Sequence, residues 1–432
     1  MFVYIFLGIF FFALIDYHRT VLAYASLRMF FHPGVCLRYD SPAIQLDFAC
    51  CVLFFVLYFF RKNKHFPKQL KFAYGILLVS YIAAMLASTY PLTQAIPPMI
   101  GRIVLLAFSF IFLSNLSVIS DIRFFHTIFF ISISIMLGYG MFEYIIQENP
   151  VIDYQKAMAP NGMEGMVYGD GGERLGSIRC QSLSAISISY GSYCIIWLCY
   201  ALINYGYYAR YYRKSILFCL MLLSIIGAFS SGSKSPFIML LSFIGLYLLI
   251  AKGHKLQKLF IVSFIVVLFA IAGAFLFDFY LMIVDSSQSS TLGSDIPMRL
   301  MQFAATGNLL DSHNWLFGLG ARGVMEAQLL NPAVLGAESV WLQLVLEQGL
   351  LGCLAYIIMI YSILQYGKGN MNPERFAMLK IFVISWILLN TVTSLPGIDL
   401  SFFICLCFAY IVKDKIDNNN IKGSIFRVGK PI

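Results

Sequence analysis

Long apolar runs separated by short polar gaps repeat along the whole of this chain. The runs are continuous rather than alternating, and many approach the ~20 residues that carry a helix across a bilayer. Lipid satisfies no backbone hydrogen bond, so such runs form helices or closed barrels, and continuous apolar character selects helices. The pattern predicts spans over 2–15, 43–60, 70–87, 98–114, 124–146, 183–203, 215–230, 235–251, 259–277, 338–365, 376–394 and 396–412. Residues 19–31 read as an interfacial helix with Arg19 and Arg28 towards headgroups. The expected fold is all-α, a polytopic membrane protein of about twelve transmembrane helices. A single transmembrane domain occupies 1–412, interrupted by two long outside loops, 147–182 and 278–337. A polar tail, 413–432, is expected to fray.

Composition agrees: 60% of the 432 residues are hydrophobic and 12% charged, far from the balance of a soluble domain. Charge then orients the bundle. With the N-terminus in the cytoplasm, 20 of the 30 Lys and Arg fall in cytoplasmic segments, from Arg61, Lys62 and Lys64 to Arg427 and Lys430. By the positive-inside rule both termini are cytoplasmic. The net charge of +9 therefore faces anionic headgroups and calls for no nucleic acid. No charged n-region or small-residue cleavage site marks a signal peptide at 2–15. None of the ten cysteines forms a CxxC pair, and Cys36 with Cys180 is a conceivable disulfide on the outside. No internal repeat is visible, which weighs against a two-halved transporter.

The loops outside are net acidic, so an anion site there has to be built from a few placed cations. Lys234 lies in the short outside turn Ser230-Ser231-Gly232-Ser233-Lys234-Ser235-Pro236. Arg299 follows Pro297 in a short helical stretch, Arg174 precedes Gly176 late in the first long loop, and Glu338 opens the tenth span. Each has a plain structural role available. Lys234 snorkels at a helix end, Arg299 pairs with Asp295, Arg174 pairs with Glu173 or Asp170, and Glu338 complements a helix dipole. Together they suit different chemistry. Guanidinium forks and an ammonium match a pyrophosphate, and a carboxylate beside them accepts a proton from a sugar hydroxyl. No Asp-x-Asp pair occurs, which fits a site without a metal-bound sugar nucleotide.

Phe229-Ser230-Ser231-Gly232-Ser233-Lys234-Ser235-Pro236 resembles the serine-arginine signature of the O-antigen polymerase and ligase superfamily (Wzy and WaaL), with Lys in place of the usual Arg. Met298-Arg299-Leu300 followed by Asn314-Trp315-Leu316-Phe317-Gly318-Leu319-Gly320 resembles its arginine helix and Phe-Gly-x-Gly turn. The block from Ala337 to Gly352 resembles the family's opening of the helix after the large loop. Glu173-Arg174-Leu175-Gly176-Ser177 is similar to its arginine-glycine stretch, without the Asn-Pro that often follows.

The resemblance implies a GT-C-like fold and two long periplasmic loops in the bacterial inner membrane. It implies undecaprenyl-pyrophosphate-linked glycans as substrates, no cofactor and no metal. Arg299, Lys234 and Arg174 would hold the pyrophosphate, and Arg299 and Glu338 would be catalytic. Glu338 stands where ligases of the family carry a His, which tilts the expectation to an inverting O-antigen polymerase of lipopolysaccharide biosynthesis. A chain-length regulator is a candidate partner beside membrane lipid. An O-antigen ligase, a capsule or exopolysaccharide polymerase, and a lipid-linked oligosaccharide flippase or other transporter stay open as alternatives.

Overall fold

The computed structural model describes residues 2–31, 34–38, 44–61, 67–116, 118–158, 173–174, 177–250, 296–334, 337, 339–393 and 400–428. Its helices are α1 (Phe2–Ile15), α2 (Tyr17–Leu27), α3 (Leu46–Phe59), α4 (Lys68–Leu86), α5 (Leu92–Ser114), α6 (Ile119–Ile146), α7 (Pro150–Met158), α8 (Ser187–Ile203), α9 (Tyr205–Tyr211), α10 (Lys214–Ser230), α11 (Ser235–Ile250), α12 (Ile296–Asp311), α13 (Gly323–Leu330), α14 (Val340–Asn370), α15 (Pro373–Val392) and α16 (Leu400–Val428). Two antiparallel two-stranded ribbons join them, β1 (Cys36–Arg38) with β2 (Ile44–Gln45) and β3 (Glu173–Arg174) with β4 (Ser177–Ile178). Every segment expected to span carries a helix apart from 259–277, which lies outside the described residues.

Local chemistry starts several of these helices. The Asn372 side chain accepts from Arg375 N at 2.9 Å, and Pro373 supplies a preset φ in the first turn of α15. Ser339 Oγ accepts from Trp341 N at 3.2 Å to open α14. Asp121 reaches back to Val118 N at 2.9 Å to open α6.

Tertiary packing runs in pairs: α14 on α4, α11 on α15, α10 on α8, α2 on α6 and α3 on α5. Helix α8 is buried along nearly its whole length, so it forms the centre of the bundle. Trp386 and Phe403 stack at 4.0 Å between α15 and α16, which are contiguous in sequence but for the 393–399 connection. A second, smaller core of Ala305, Leu319, Ala327, Val334, Ala337, Leu342 and Leu346 ties α12 and α13 to the first two turns of α14.

One end of the bundle is held by polar contacts among its basic residues. Lys413 Nζ donates to Asn204 Oδ1 at 2.5 Å, Asn372 N donates to Asp414 at 2.9 Å, and Arg375 Nη1 donates to Ile203 O at 3.1 Å. The last contact sets the start of α15 beside the end of α8, so α15 finishes at the opposite end of the bundle.

Two expectations are corrected. Residues 19–31 are not an interfacial helix. Helix α2 is packed inside, and Arg28 is 4% exposed. Its guanidinium is bidentate with Asp47 (Nη2–Oδ2 2.9 Å, Nε–Oδ1 3.1 Å) and donates to Ser401 Oγ at 3.1 Å. A buried arginine needs such a full set of acceptors, and the sequence offered its partner only in the next segment. Secondly, the polar tail continues α16 as helix to Val428, since no proline interrupts it before Pro431. Cys36 and Cys180 are both buried.

Candidate functional site

The end of the bundle away from Arg375 holds Lys234 and Arg299. Helix α10 stops at Ser230, and the turn to α11 passes through Ser231, Gly232 (φ 60°), Ser233 and Lys234. The turn fits only because α8 carries Gly191 beneath it. A Cβ there would lie 2.4 Å from Ser231 Oγ. Lys234, half-buried, ends this turn at the head of α11.

Arg179 fastens the same turn. Its Nη2 donates to Ser233 Oγ at 3.0 Å and its Nε to Ser231 O at 3.3 Å, while Cys180 N donates to Ser230 O at 3.0 Å. The next residues are held from below. The buried Glu143 carboxylate accepts from Gln181 N at 3.1 Å and Ser182 N at 2.5 Å. Burial pushes the Cys180 thiol up to about 12, and the charge of Glu143 adds to it. Sequence reasoning had chosen Arg174 from this stretch. The backbone of Arg174 pairs with Ser177 in the β3–β4 ribbon; its side chain lies outside what the structure describes. Arg179, five residues later, is the arginine that contacts the Lys234 turn. The signal that would have found it is weak, a lone arginine just before an expected span.

Arg299 and the start of α14 meet on the last turn of α15. Arg299 Nη1 donates to Val392 O. Ser339 Oγ donates to Asn390 O at 3.4 Å, and Trp341 Nε1 donates to Thr391 Oγ1 at 3.2 Å. The final carbonyls of a helix have no partners inside it, so a guanidinium and a hydroxyl are natural donors there. Glu338 itself lies outside the described residues, as does Asp295, the partner first considered for Arg299. Both neighbours of Glu338, Ala337 and Ser339, are buried. The structure thus brings Arg299 and Ser339, the residue after Glu338, to one helix end, in the half of the bundle that holds Lys234 and Arg179.

The Phe-Gly-x-Gly turn closes a break in α14. Helix α14 is broken at Gly349, whose backbone (φ 63°, ψ −159°) is not helical. The freed backbone groups are taken up by the turn. Leu319 N donates to Leu346 O at 2.7 Å, Leu350 N to Trp315 O at 2.9 Å and Leu351 N to Leu316 O at 3.2 Å. The approach is too close for side chains. A Cβ on Gly318 would lie 2.6 Å from Leu346 O and Val345 O, and one on Gly349 would lie 2.4 Å from the Leu316 carbonyl. The far side of the turn docks on α4, where Ala321 N donates to Ala84 O at 2.8 Å and Ser88 Oγ to Ala321 O at 2.9 Å.

Two residues before the break, Glu347 is 8% exposed and pairs with Arg102 Nη1 of α5. Its neighbour Gln348 accepts from Ser80 Oγ at 2.9 Å. Sequence reasoning did not single out Arg102, which lies within the expected span 98–114. An ionisable pair inside apolar helices is the signal that it passed over. Among the described residues no three His, Cys, Asp or Glu side chains gather where a metal ion would bind.

Among the described residues five helices, α4, α5, α6, α14 and α15, are long and apolar enough to cross a membrane, and α1, α3, α8, α10 and α11 are shorter apolar helices. With their charge-poor lengths and outward apolar faces, these elements define a helical multi-pass membrane protein. Residues 219–357 match the O-antigen ligase family, so this segment of the chain is similar to that family. The matched segment runs from α10 into α14. It includes the Lys234 turn, Arg299, the Phe-Gly-x-Gly turn, Glu338 and the break at Gly349, and it leaves out Arg174 and Arg179. A search of curated proteins and of solved structures found no match.

Proposed function

We propose that this protein is an O-antigen polymerase, an inverting glycosyltransferase working on the periplasmic face of the bacterial inner membrane with both termini in the cytoplasm. The donor is a growing glycan on undecaprenyl pyrophosphate, and the acceptor is the non-reducing-end sugar of a lipid-linked repeat unit. The acceptor hydroxyl oxygen bonds to the anomeric carbon of the donor as the bond from that carbon to the pyrophosphate oxygen breaks. The hydroxyl proton passes to the Glu338 carboxylate, and the lipid pyrophosphate leaves with the bonding pair. Charge grows on the departing oxygen, so fixed cations there lower the barrier. Arg299, Lys234 and Arg174 take that role, and Arg179 joins them by holding the Lys234 turn in place. The donor already carries an activated leaving group, so the reaction draws on no cofactor and no metal.

The observation that supports this reading most is the meeting of Arg299 with Ser339, next to Glu338, at the end of α15. Glu338→Gln keeps the shape and removes the base. Lipopolysaccharide from a deletion strain complemented with it should show one repeat unit on lipid A-core instead of a ladder. A normal ladder from stably expressed Glu338→Gln would remove Glu338 as the base.

A ligase is the second reading, favoured by the description of the matching family. It would use the same donor and join the glycan to lipid A-core. Deletion separates the two: loss of a polymerase leaves one capped repeat, and loss of a ligase leaves none. Polymerisation of lipid-linked repeats by the purified protein would exclude a flippase, and the glycan formed would distinguish O-antigen from a capsule or exopolysaccharide.

A further inference from the structure

We infer that the turn Trp315–Arg322, expected to stand in the periplasm as part of loop 278–337, is a re-entrant element seated in the acyl-chain region of the outer leaflet, with Trp315 and Leu316 in contact with lipid. The inference is independent of the reaction proposed above.

Two helices act as rulers. Lys368 is exposed near the basic end of α14, and Leu350 lies 18 residues before it. At about 1.5 Å per residue that is roughly 27 Å, against a hydrocarbon thickness of ~30 Å. Leu350 N is bonded to Trp315 O, so the turn sits just inside the outer boundary. On α4, the exposed Lys71 and Ala84 are 13 residues apart, roughly 20 Å by the same rise. Ala84 O accepts from Ala321 N. Tilt of either helix shortens the projected distance and carries the turn deeper.

The side chains agree with that depth. Leu350, Leu354, Ile357 and Tyr361 are all exposed and recur at helical spacing along one face of α14. Leu316 (51% exposed) and Trp315 (42%) continue this stripe past the break. The Trp315 indole N–H is already satisfied by Asp311 at 2.8 Å, leaving the ring to lie in an apolar setting, as tryptophans at membrane boundaries do. Non-helical backbone at such depth has to be bonded within the protein; the Leu319 and Ala321 amides are bonded to α14 and α4, and those of Leu316, Phe317 and Gly318 to Asn314.

Fluorescence reads this directly. Trp197 and Trp386 are fully buried and Trp341 partly so, and the difference between wild type and Trp315→Phe isolates Trp315, one of four tryptophans. The full chain is reconstituted in nanodiscs of phosphatidylcholine or of phosphatidylcholine brominated near the upper part of its acyl chains. The Trp315 component should be quenched by the brominated lipid and left unaffected by aqueous iodide. A second reporter, Leu316→Trp, should add emission with the same response, and it serves if Trp315→Phe does not fold. Quenching of these components by iodide and not by brominated lipid would place the turn in water. Protection from both quenchers would mean that protein covers it. Either result overturns the inference.

Discussion

Gly349→Ala tests whether the broken helix holds the outer module in place. The backbone at Gly349 lies at φ 63°, ψ −159°, a region that essentially only glycine occupies, and forcing another residue there costs about 2 kcal/mol. The new Cβ would also lie 2.4 Å from the Leu316 carbonyl carbon and oxygen and 2.6 Å from Gly318 N, so the two backbones have to separate. Of the three hydrogen bonds between them, loss of two at about 1 kcal/mol each brings the total to about 4 kcal/mol. That raises the local opening constant roughly a thousandfold. It is a local effect, because the main bundle core does not include these residues. The assay is hydrogen exchange by mass spectrometry on peptides covering 315–322 and 346–351. Exchange should accelerate by about three orders of magnitude there while α8 is unchanged. The glycan ladder should shorten, because the loosened module carries Arg299 and leads into Glu338. Gly307→Ala is the control. It lies in α12 with no atom within 4 Å of the added Cβ and should be neutral or stabilising by up to ~1 kcal/mol. Wild-type exchange in Gly349→Ala would show that the turn does not depend on the break, and the reasoning would fail.

Arg299→Ala should abolish polymerisation, whereas Arg299→Lys should keep part of it, since the charge remains and the fork is lost; wild-type ladders from both would take Arg299 out of the site. Arg179→Ala removes both bonds to the Ser231–Ser233 turn and should lower stability by ~1–3 kcal/mol and shorten the ladder, with Arg179→Lys falling between; an unchanged melting midpoint and ladder would deny it a part in holding Lys234. The Cys180 thiol, raised to about 12 by burial and then by Glu143, stays protonated between pH 6 and 9 in the folded protein. Because the thiolate is the reactive form, maleimide labelling at Cys180 should be negligible at pH 8 and appear only on unfolding, as mapped by peptide mass spectrometry; rapid labelling of folded protein at pH 8 would contradict it.

Apolar run length was enough to locate the helices, because a bilayer demands continuous hydrophobic segments and the chain obeys. It was not enough to rank the charges within them. Arg28 reads as a headgroup contact because its acceptors, Asp47 and Ser401, are far away in sequence and come together only in the bundle. Arg102 and Glu347 are 245 residues apart and give no local hint of a pair. In the candidate site, motif spacing singled out Arg299, Lys234 and the α14 block. It preferred Arg174 to Arg179, because the arginine-glycine stretch carries a pattern and the residue that bonds the turn carries none.

Glycine explains why a motif can be legible while its task is not. Gly318, Gly320 and Gly349 all have positive φ, and at each an added Cβ would meet backbone atoms of another segment. Gly318 and Gly349 face each other across the break, and Gly320 faces Ser88 after α4. Spaced glycines in a loop suggest a cradle for phosphate, where bare amides meet a ligand. Here the amides of Leu319, Leu350 and Leu351 are spent on carbonyls of the facing segment. The turn and α14 therefore exchange these hydrogen bonds instead of offering the amides to a substrate, and the proposed anion site is left to side chains on the surrounding elements, Arg299 on α12 and Lys234 with Arg179 at the α10–α11 turn. A glycine clasp that keeps its own backbone satisfied can lie at lipid depth, where an open phosphate loop cannot. That requirement separates the scaffold of this site from the residues that act in it.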